Sequence, residues 1–180
     1  PYTNRKQLAL LPESMIVEMG LTNYNEFIKS NKLSTDEQQT LMIRKVGQRI
    51  SKAAEEFMRM NNMSSDIKNY KWEFNLIESS QVNAWCMPGG KIVFYTGILP
   101  YTLDESGIAV VMGHEIAHAI ARHGNERLSQ QLMVTMGGIA LAVALQEKPE
   151  ETRNLFLAAY GAGATVGILL PYSRKHEYEA

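Results

Sequence analysis

The sequence of 180 residues contains one cysteine, Cys86, and therefore forms no internal disulfide. Structural zinc sites are closed and rich in thiolate ligands, so a single thiol also argues against that class of metal site. Free cysteines are usually buried, and we expect Cys86 to be a core residue.

An excess of one charge is also missing. The chain has 18 basic and 19 acidic residues and a formal net charge of −1. This balance gives no electrostatic reason to expect nucleic acid or an acidic membrane surface as the main partner.

Long apolar runs are interrupted. Residues 125–145 and 149–170 each predict a helix, but the apolar stretch of the first covers only residues 133–145 and glycines break the second. A membrane span needs about 20 apolar residues, so we expect two buried helices that pack closely through small residues. Contact with a membrane interface is the alternative.

The sequence starts at Pro1 without an apolar leader, and we expect any targeting segment to have been removed or to lie outside it.

The motif His114-Glu115-Ile116-Ala117-His118 carries the strongest chemical signal. Positions four apart lie on the same face of a helix, so both imidazoles can point a ring nitrogen at one zinc ion. Glu115 lies about a quarter turn aside, where its carboxylate is off the metal but within reach of an attacking water. The pattern predicts two metal ligands and a general base, and a catalytic zinc usually takes a third protein ligand.

Local signals predict that this motif lies on a helix. Thr102 to Glu105 has the pattern of a capping box, and Gly124 is expected to end the helix. A second capping box, Ser34 to Glu37, predicts a helix that continues to about Met60. Before it, apolar residues at helical spacing predict a first helix over Glu13–Ser30.

The middle of the chain predicts a small antiparallel sheet. Alternation of apolar and polar residues over 70–76 is typical of a half-buried strand, and two short apolar runs, 81–87 and 91–96, flank Pro88-Gly89-Gly90 as in a β-hairpin. A free edge at Asn83, Ala84 and Trp85 would let an extended peptide add by main-chain hydrogen bonds. The alternative is that the hairpin only covers the core.

The third ligand must come from the remaining His, Asp and Glu residues, and the last ten positions hold the candidates. Ser173 follows Pro171 closely and resembles an N-cap, which predicts a short helix with His176 and Glu177 in its first turns. A carboxylate on such a rigid element can reach a metal.

Several segments in this order resemble the HtpX and BepA type of zinc metallopeptidases, which also includes the C-a-a-X prenyl proteases. The resemblance covers about residues 81–180 and rests on these segments: His114 to His118 followed by Ala121-Arg122-His123, Asn83-Ala84 before Pro88-Gly89-Gly90 and Thr96-Gly97, and Ser173-Arg174 before Glu177 and Ala180. It implies that Glu177 is the third zinc ligand.

The resemblance also implies protein substrates, often misfolded or membrane-associated. It further implies a location in the bacterial periplasm or cell envelope, with membrane association through a lipid anchor outside this chain. The first 80 residues look more like the soluble bacterial members of the family.

The sequence departs from the family pattern after Ala180, where an aspartate is expected and the chain stops. We therefore expect a chain truncated at its C-terminus, in which the turn that holds Glu177 frays and the two histidines of the motif bind zinc more reliably than Glu177 does. A longer chain would then be the better protease. An aspartate that orients a ligand histidine and a donor to the oxyanion would lie downstream.

His123 is predicted to have a hydrogen-bonded structural role, and His176 to be either a surface residue or a neighbour of the site.

Together these features predict an α+β, zincin-like single domain over residues 1–180, mostly helical with a small antiparallel sheet. Helices would occupy 1–66, the sheet 67–100 and the metal-site helices 101–180. The predicted function is that of a zinc-dependent metalloendopeptidase with His114, His118 and Glu177 as ligands and Glu115 as general base. The alternative is a zinc-stabilised peptide-binding or chaperone module, which would not need Glu115.

Overall fold

The computed structural model describes residues 6–180, except for the side chains of Pro171 and Tyr172. The described elements are the strands β1 (Glu73–Ile77), β2 (Ala84–Met87) and β3 (Lys91–Tyr95), and the helices α1 (Glu13–Ser30), α2 (Glu37–Met60), α3 (Ser64–Ile67), α4 (Leu99–Thr102), α5 (Glu105–Ile120), α6 (His123–Ala144), α7 (Glu150–Ala164) and α8 (Leu170–Glu179). The predictions for α1 and α2 are confirmed, as is an α+β architecture that is mostly helical.

Aspartates cap the two central helices, two residues later than the predicted capping boxes. The Asp36 carboxylate accepts from the backbone N–H of Gln39 at 2.9 Å and begins α2. The Asp104 carboxylate accepts from two backbone N–H groups at the start of α5, at 2.8 and 3.0 Å. Thr102 is not the cap, because it ends α4 and the chain reverses at Leu103, which has a φ of 63°.

The sheet is mixed rather than antiparallel, with the strand order β1-β3-β2. β2 and β3 form the predicted antiparallel hairpin, in which Gly89 and Gly90 take φ values of 91° and 83° that only glycine adopts readily. β3 then inserts beside β1 in parallel, and this contradicts the all-antiparallel prediction. β1 is buried from Phe74 to Ile77, so it is not the half-buried strand that the alternation predicted.

The core fixes the orientation of α5. Ile108, Met112, Ile116 and Ile120 lie four residues apart and form one buried stripe. This stripe belongs to a cluster that includes Ile43 and Met58 of α2 and Phe94 of β3. Because one face of α5 is held against α2 and the sheet, the motif residues between these positions point towards β2 and the C-terminal helices.

The two helices that we expected to be buried, over residues 125–145 and 149–170, are largely exposed along α7 and the second half of α6. Met136 and Ile139 of α6 and Leu155 and Phe156 of α7 are all more than half exposed. Residues 150–179 form one continuous helix that is long and apolar enough to cross a membrane. Its apolar 18-residue stretch has a mean hydropathy of 1.5, and only 6% of that stretch is buried. We call the second half of α6 (from Met133) together with α7 the apolar hairpin.

The predicted short helix with Ser173 as its N-cap is also wrong, because Ser173 lies inside the continuous helix. A proline in a helix interior removes one hydrogen bond and crowds the preceding turn. Here a widened π turn, Thr165–Leu169, comes directly before the segment that contains Pro171. This wider turn lets the helix continue through the proline and carry His176 and Glu177 to the metal-site helix.

Candidate metal centre

Two histidines of α5 point their outer ring nitrogens at the same point. The Nε2 atoms of His114 and His118 are 3.1 Å apart, and the two rings are nearly perpendicular. This is the arrangement that one helical turn of separation allows when both side chains converge on one ion.

Helix α8 brings a carboxylate to the two imidazoles. Glu177 Oε2 lies 3.3 Å from His114 Nε2, and Glu177 Oε1 lies 3.6 Å from His118 Nε2. Tetrahedral ligands at about 2.0 to 2.1 Å from zinc lie roughly 3.3 Å from one another. The three side chains that the sequence proposed therefore have a spacing that fits one small tetrahedral ion, and they are the candidate metal set among the described residues.

Burial determines the protonation state of His118, the second histidine of the motif. It lowers the pKa of His118 to about 4, and the charge of Glu177 opposes this shift. At neutral pH the imidazole is therefore neutral and has a lone pair on one nitrogen, which is the form that binds metals.

Glu115 lines the same cavity as the three convergent side chains. Burial raises the pKa of its carboxyl group, the positive field of His114 opposes the shift, and the charge of Glu177 adds to it. A carboxylate with a raised pKa is a stronger base than an ordinary surface glutamate, which suits a group that must accept a proton from water.

His123 touches the site, although its position five residues after His118 suggested only a structural role. Its Nδ1 atom lies 2.9 Å from His118 Nδ1, and its Nε2 atom lies 2.9 Å from the carboxylate of Glu179. The sequence signal for this contact is weak, because it depends on the turn at Arg122. That residue has a left-handed φ of 58° and starts α6 directly behind α5.

A second buried pair holds α8 in place. His176 Nε2 lies 3.0 Å from a carboxylate oxygen of Glu126, and both side chains are 1% exposed. His176 also stacks on His123 with 4.3 Å between the ring centroids. The predicted fraying of the turn that holds Glu177 assumed that few contacts hold this segment, and that assumption is wrong; His176 is not a surface residue.

The candidate substrate edge forms one wall of the site. A cavity of about 300 Å³ is lined by Trp85 and Cys86 of β2, by the α5 motif and by Glu177. Ala84 begins the same strand and Asn83 directly precedes it, and the Asn83 carbonyl accepts from the Tyr95 N–H. Among the described strands β2 pairs only with β3, so its other edge has no strand partner there.

Arg127 is a further cavity residue that the sequence did not identify. It lies one turn after His123 on α6, and its charge opposes the raised pKa of Glu115 and helps to lower that of His118. Sequence periodicity alone gives such an arginine no more weight than any solvent-facing charge.

Comparison with known proteins agrees with the resemblance seen in the motifs. The model of peptidase family M48 matches residues 44–180. The chain is 36% identical over 116 residues to the mitochondrial metalloendopeptidase OMA1 of Schizosaccharomyces pombe, which covers 64% of this chain and 32% of that protein. It is 32% identical over 131 residues to the Arabidopsis thaliana OMA1, with 73% and 25% covered.

A bacterial relative is also similar. The chain is 30% identical over 112 residues to the β-barrel assembly-enhancing protease of Yersinia pestis, which covers 61% of this chain and 23% of the relative. The chain thus spans about a quarter to a third of the length of these three relatives. The predicted location in the bacterial periplasm or cell envelope is wrong, because the relatives in fungi, plants and animals are named as mitochondrial proteins.

The Glu126–His176 pair leads to a stability prediction. Glu126→Ala leaves a buried imidazole without its acceptor, and we expect the free energy of unfolding in urea to fall by about 1 to 3 kcal/mol. Glu78→Ala is the matched control, because Glu78 pairs with Lys32 at 2.7 Å with both side chains about half exposed or more. This control should change the free energy by no more than about 0.5 kcal/mol. Equal effects of the two substitutions would contradict the prediction.

Proposed function

Because the chain belongs to peptidase family M48, we propose that it is a zinc-dependent metalloendopeptidase that hydrolyses peptide bonds in protein substrates. One observation carries this proposal: the convergence of His114, His118 and Glu177 beside a partly buried carboxylate, Glu115. The rival function, a zinc-stabilised peptide-binding or chaperone module, gives no role to that carboxylate.

His114, His118 and Glu177 would hold the ion, since their spacing fits a tetrahedral site with one position left over. Bound zinc supplies Lewis-acid chemistry, because it lowers the pKa of water and polarises the scissile carbonyl. Thiolates contribute nothing to this set, and two imidazoles with one carboxylate are a common ligand set of catalytic zinc.

Glu115 performs the proton transfers. Its ionised carboxylate accepts a proton from the attacking water and then donates that proton to the leaving amine nitrogen, so the carboxylate is regenerated at the end of the cycle. Partial burial supports both steps, because the raised pKa brings the acid and base forms closer in free energy.

Two substitutions separate metal binding from turnover. We expect His118→Ala to lose stoichiometric zinc, and Glu115→Gln to keep the zinc while its turnover of a casein-type substrate falls by about 100-fold or more. Zinc content by elemental analysis and single-turnover cleavage provide the measurements. Normal proteolysis by the Glu115 variant would favour the binding module, and unchanged zinc in the His118 variant would refute the metal set.

The substrate enters as an extended peptide along β2. This strand, which has no described strand partner on one edge, borders the cavity through Trp85 and Cys86, and edge strands bind peptides by main-chain hydrogen bonds with little dependence on sequence. This mode suits unfolded segments of proteins, whose backbone groups are available for pairing.

A set of N-methylated peptides tests this mode. Methylation of a backbone nitrogen removes one donor, so cleavage should drop at alternate positions on one side of the scissile bond, where the peptide N–H groups face β2. The unmethylated peptide of the same sequence is the control. A loss with no alternation, or no loss at any position, would exclude strand addition.

We assign membrane contact to the apolar hairpin rather than to a lipid anchor outside the chain. From α7 of this hairpin into the start of α8, residues 154–173 contain no charged side chain over 20 positions. Arg174 and Lys175 follow directly. At about 1.5 Å per residue this stretch spans about 30 Å, the thickness of the hydrocarbon core. Core helices of similar composition are mostly buried, whereas this helix is not. Insertion would place Glu177 next to the membrane surface.

Flotation with phosphatidylcholine–phosphatidylglycerol vesicles tests this assignment. The double variant Leu155→Asp, Phe156→Asp places charges on the exposed face of α7 and should remain in the unbound fraction, while the wild type floats. Leu41→Asp is the control, because Leu41 is an equally exposed apolar residue on α2, outside the apolar hairpin. Flotation of the double variant, or a wild type that does not float, would overturn the assignment.

A further inference from the structure

Resting on the proposed zinc site, we propose that Glu179 and His123 form a relay that fixes the tautomer and orientation of the metal-site residue His118. They are positioning residues, since His123 contacts the candidate ligand His118, Glu179 contacts His123, and neither is one of the three convergent side chains. The relay consists of two contacts of 2.9 Å, one between the Nδ1 atoms of His118 and His123 and one between His123 Nε2 and Glu179 Oε2.

The chemistry of the three groups determines which atom carries each proton. An ionised carboxylate only accepts hydrogen bonds, so the His123 Nε2–H donates to Glu179. A neutral ring with its proton on Nε2 carries a lone pair on Nδ1, so His123 Nδ1 accepts across the 2.9 Å contact with His118 Nδ1. His118 must then donate through its Nδ1–H. Its lone pair is therefore on Nε2, the atom that converges with His114 and Glu177.

The fold holds the relay tightly. His123 is 2% exposed, and Glu179 has a side chain that is 17% exposed. The turn before His123 is fixed by Arg122, whose guanidinium donates to Asp66 at 2.8 Å. In metal sites, groups that hydrogen-bond to the second ring nitrogen of a ligand histidine set its tautomer, and their loss typically lowers metal affinity.

The neighbouring Glu126–His176 pair offers an internal control. It also joins an imidazole to a carboxylate between α6 and α8, and it is more deeply buried, but its described hydrogen bond runs between His176 and Glu126 and not to His118. A merely structural role would make the two pairs equivalent for zinc binding. A relay makes the Glu179–His123 pair matter more for zinc binding, and it makes only that pair set the tautomer of His118.

Zinc affinity from competition with a chromophoric chelator distinguishes these cases in the full chain. Glu179→Leu and His123→Leu should each weaken zinc binding by about 10 to 100-fold. Glu126→Leu removes a contact that holds α8, so it should lower stability and weaken zinc binding less than Glu179→Leu does. His123→Gln should restore most of the affinity, because a side-chain carbonyl can still accept from the His118 Nδ1–H. Equal losses in the Glu179 and Glu126 variants, or no rescue by glutamine, would overturn the relay.

Nitrogen-15 spectra of the metal-free protein provide a second readout that does not involve zinc. The wild type should show His118 protonated on Nδ1, and His123→Leu should shift that ring towards the Nε2–H form. A wild type with the proton on Nε2 would overturn the relay. A wild type with the expected tautomer that fails to bind zinc would instead overturn the proposed function.

Discussion

The position of α8 against α5 and α6 is the constraint on which the site depends. Two of the three convergent groups lie on α5, and the third arrives on a helix that is distant in sequence. Buried imidazole–carboxylate pairs, His176 with Glu126 and His123 with Glu179, hold that helix in register. Buried ionisable groups are costly unless paired, so this packing strongly disfavours other placements of α8.

The scaffold behind α5 has a simpler physical origin. A stripe of isoleucine and methionine packs against α2 and the sheet, and this apolar contact sets the rotation of the helix. The same sheet presents β2 at the cavity. Apolar burial thus positions the reactive face of α5, and polar pairing adds the group that completes it.

Local patterns in the sequence predicted the local features well. The first two helices, the hairpin and the helix with its two histidines all depend on spacing and turn residues that a short window contains. Glu177 came from a family resemblance, because a contact between α5 and α8 has no local signature. The contact of His123 with His118 depends on a left-handed turn at Arg122, a conformation that arginine seldom adopts and periodicity cannot reveal.

Apolar composition was misleading for the last helices, since lipid-facing and core-facing helices use the same residues. Only exposure in the folded chain separates the two cases.

The parallel direction of β1 was missed because alternation along one strand carries no information about which neighbour it pairs with.

The unbroken helix from Glu150 to Glu179 has a mechanical consequence. The carboxylate of Glu177 and the exposed apolar face of α7 lie on one rod, whereas the two imidazoles lie on a separate helix packed into the core. A tilt of the rod therefore changes the distance between the carboxylate and the imidazoles. The widened turn at Thr165–Leu169 lies between the apolar face of α7 and Glu177. Movement of α7 would therefore reach the Glu177 carboxylate only through this turn and against the buried pairs that hold α8.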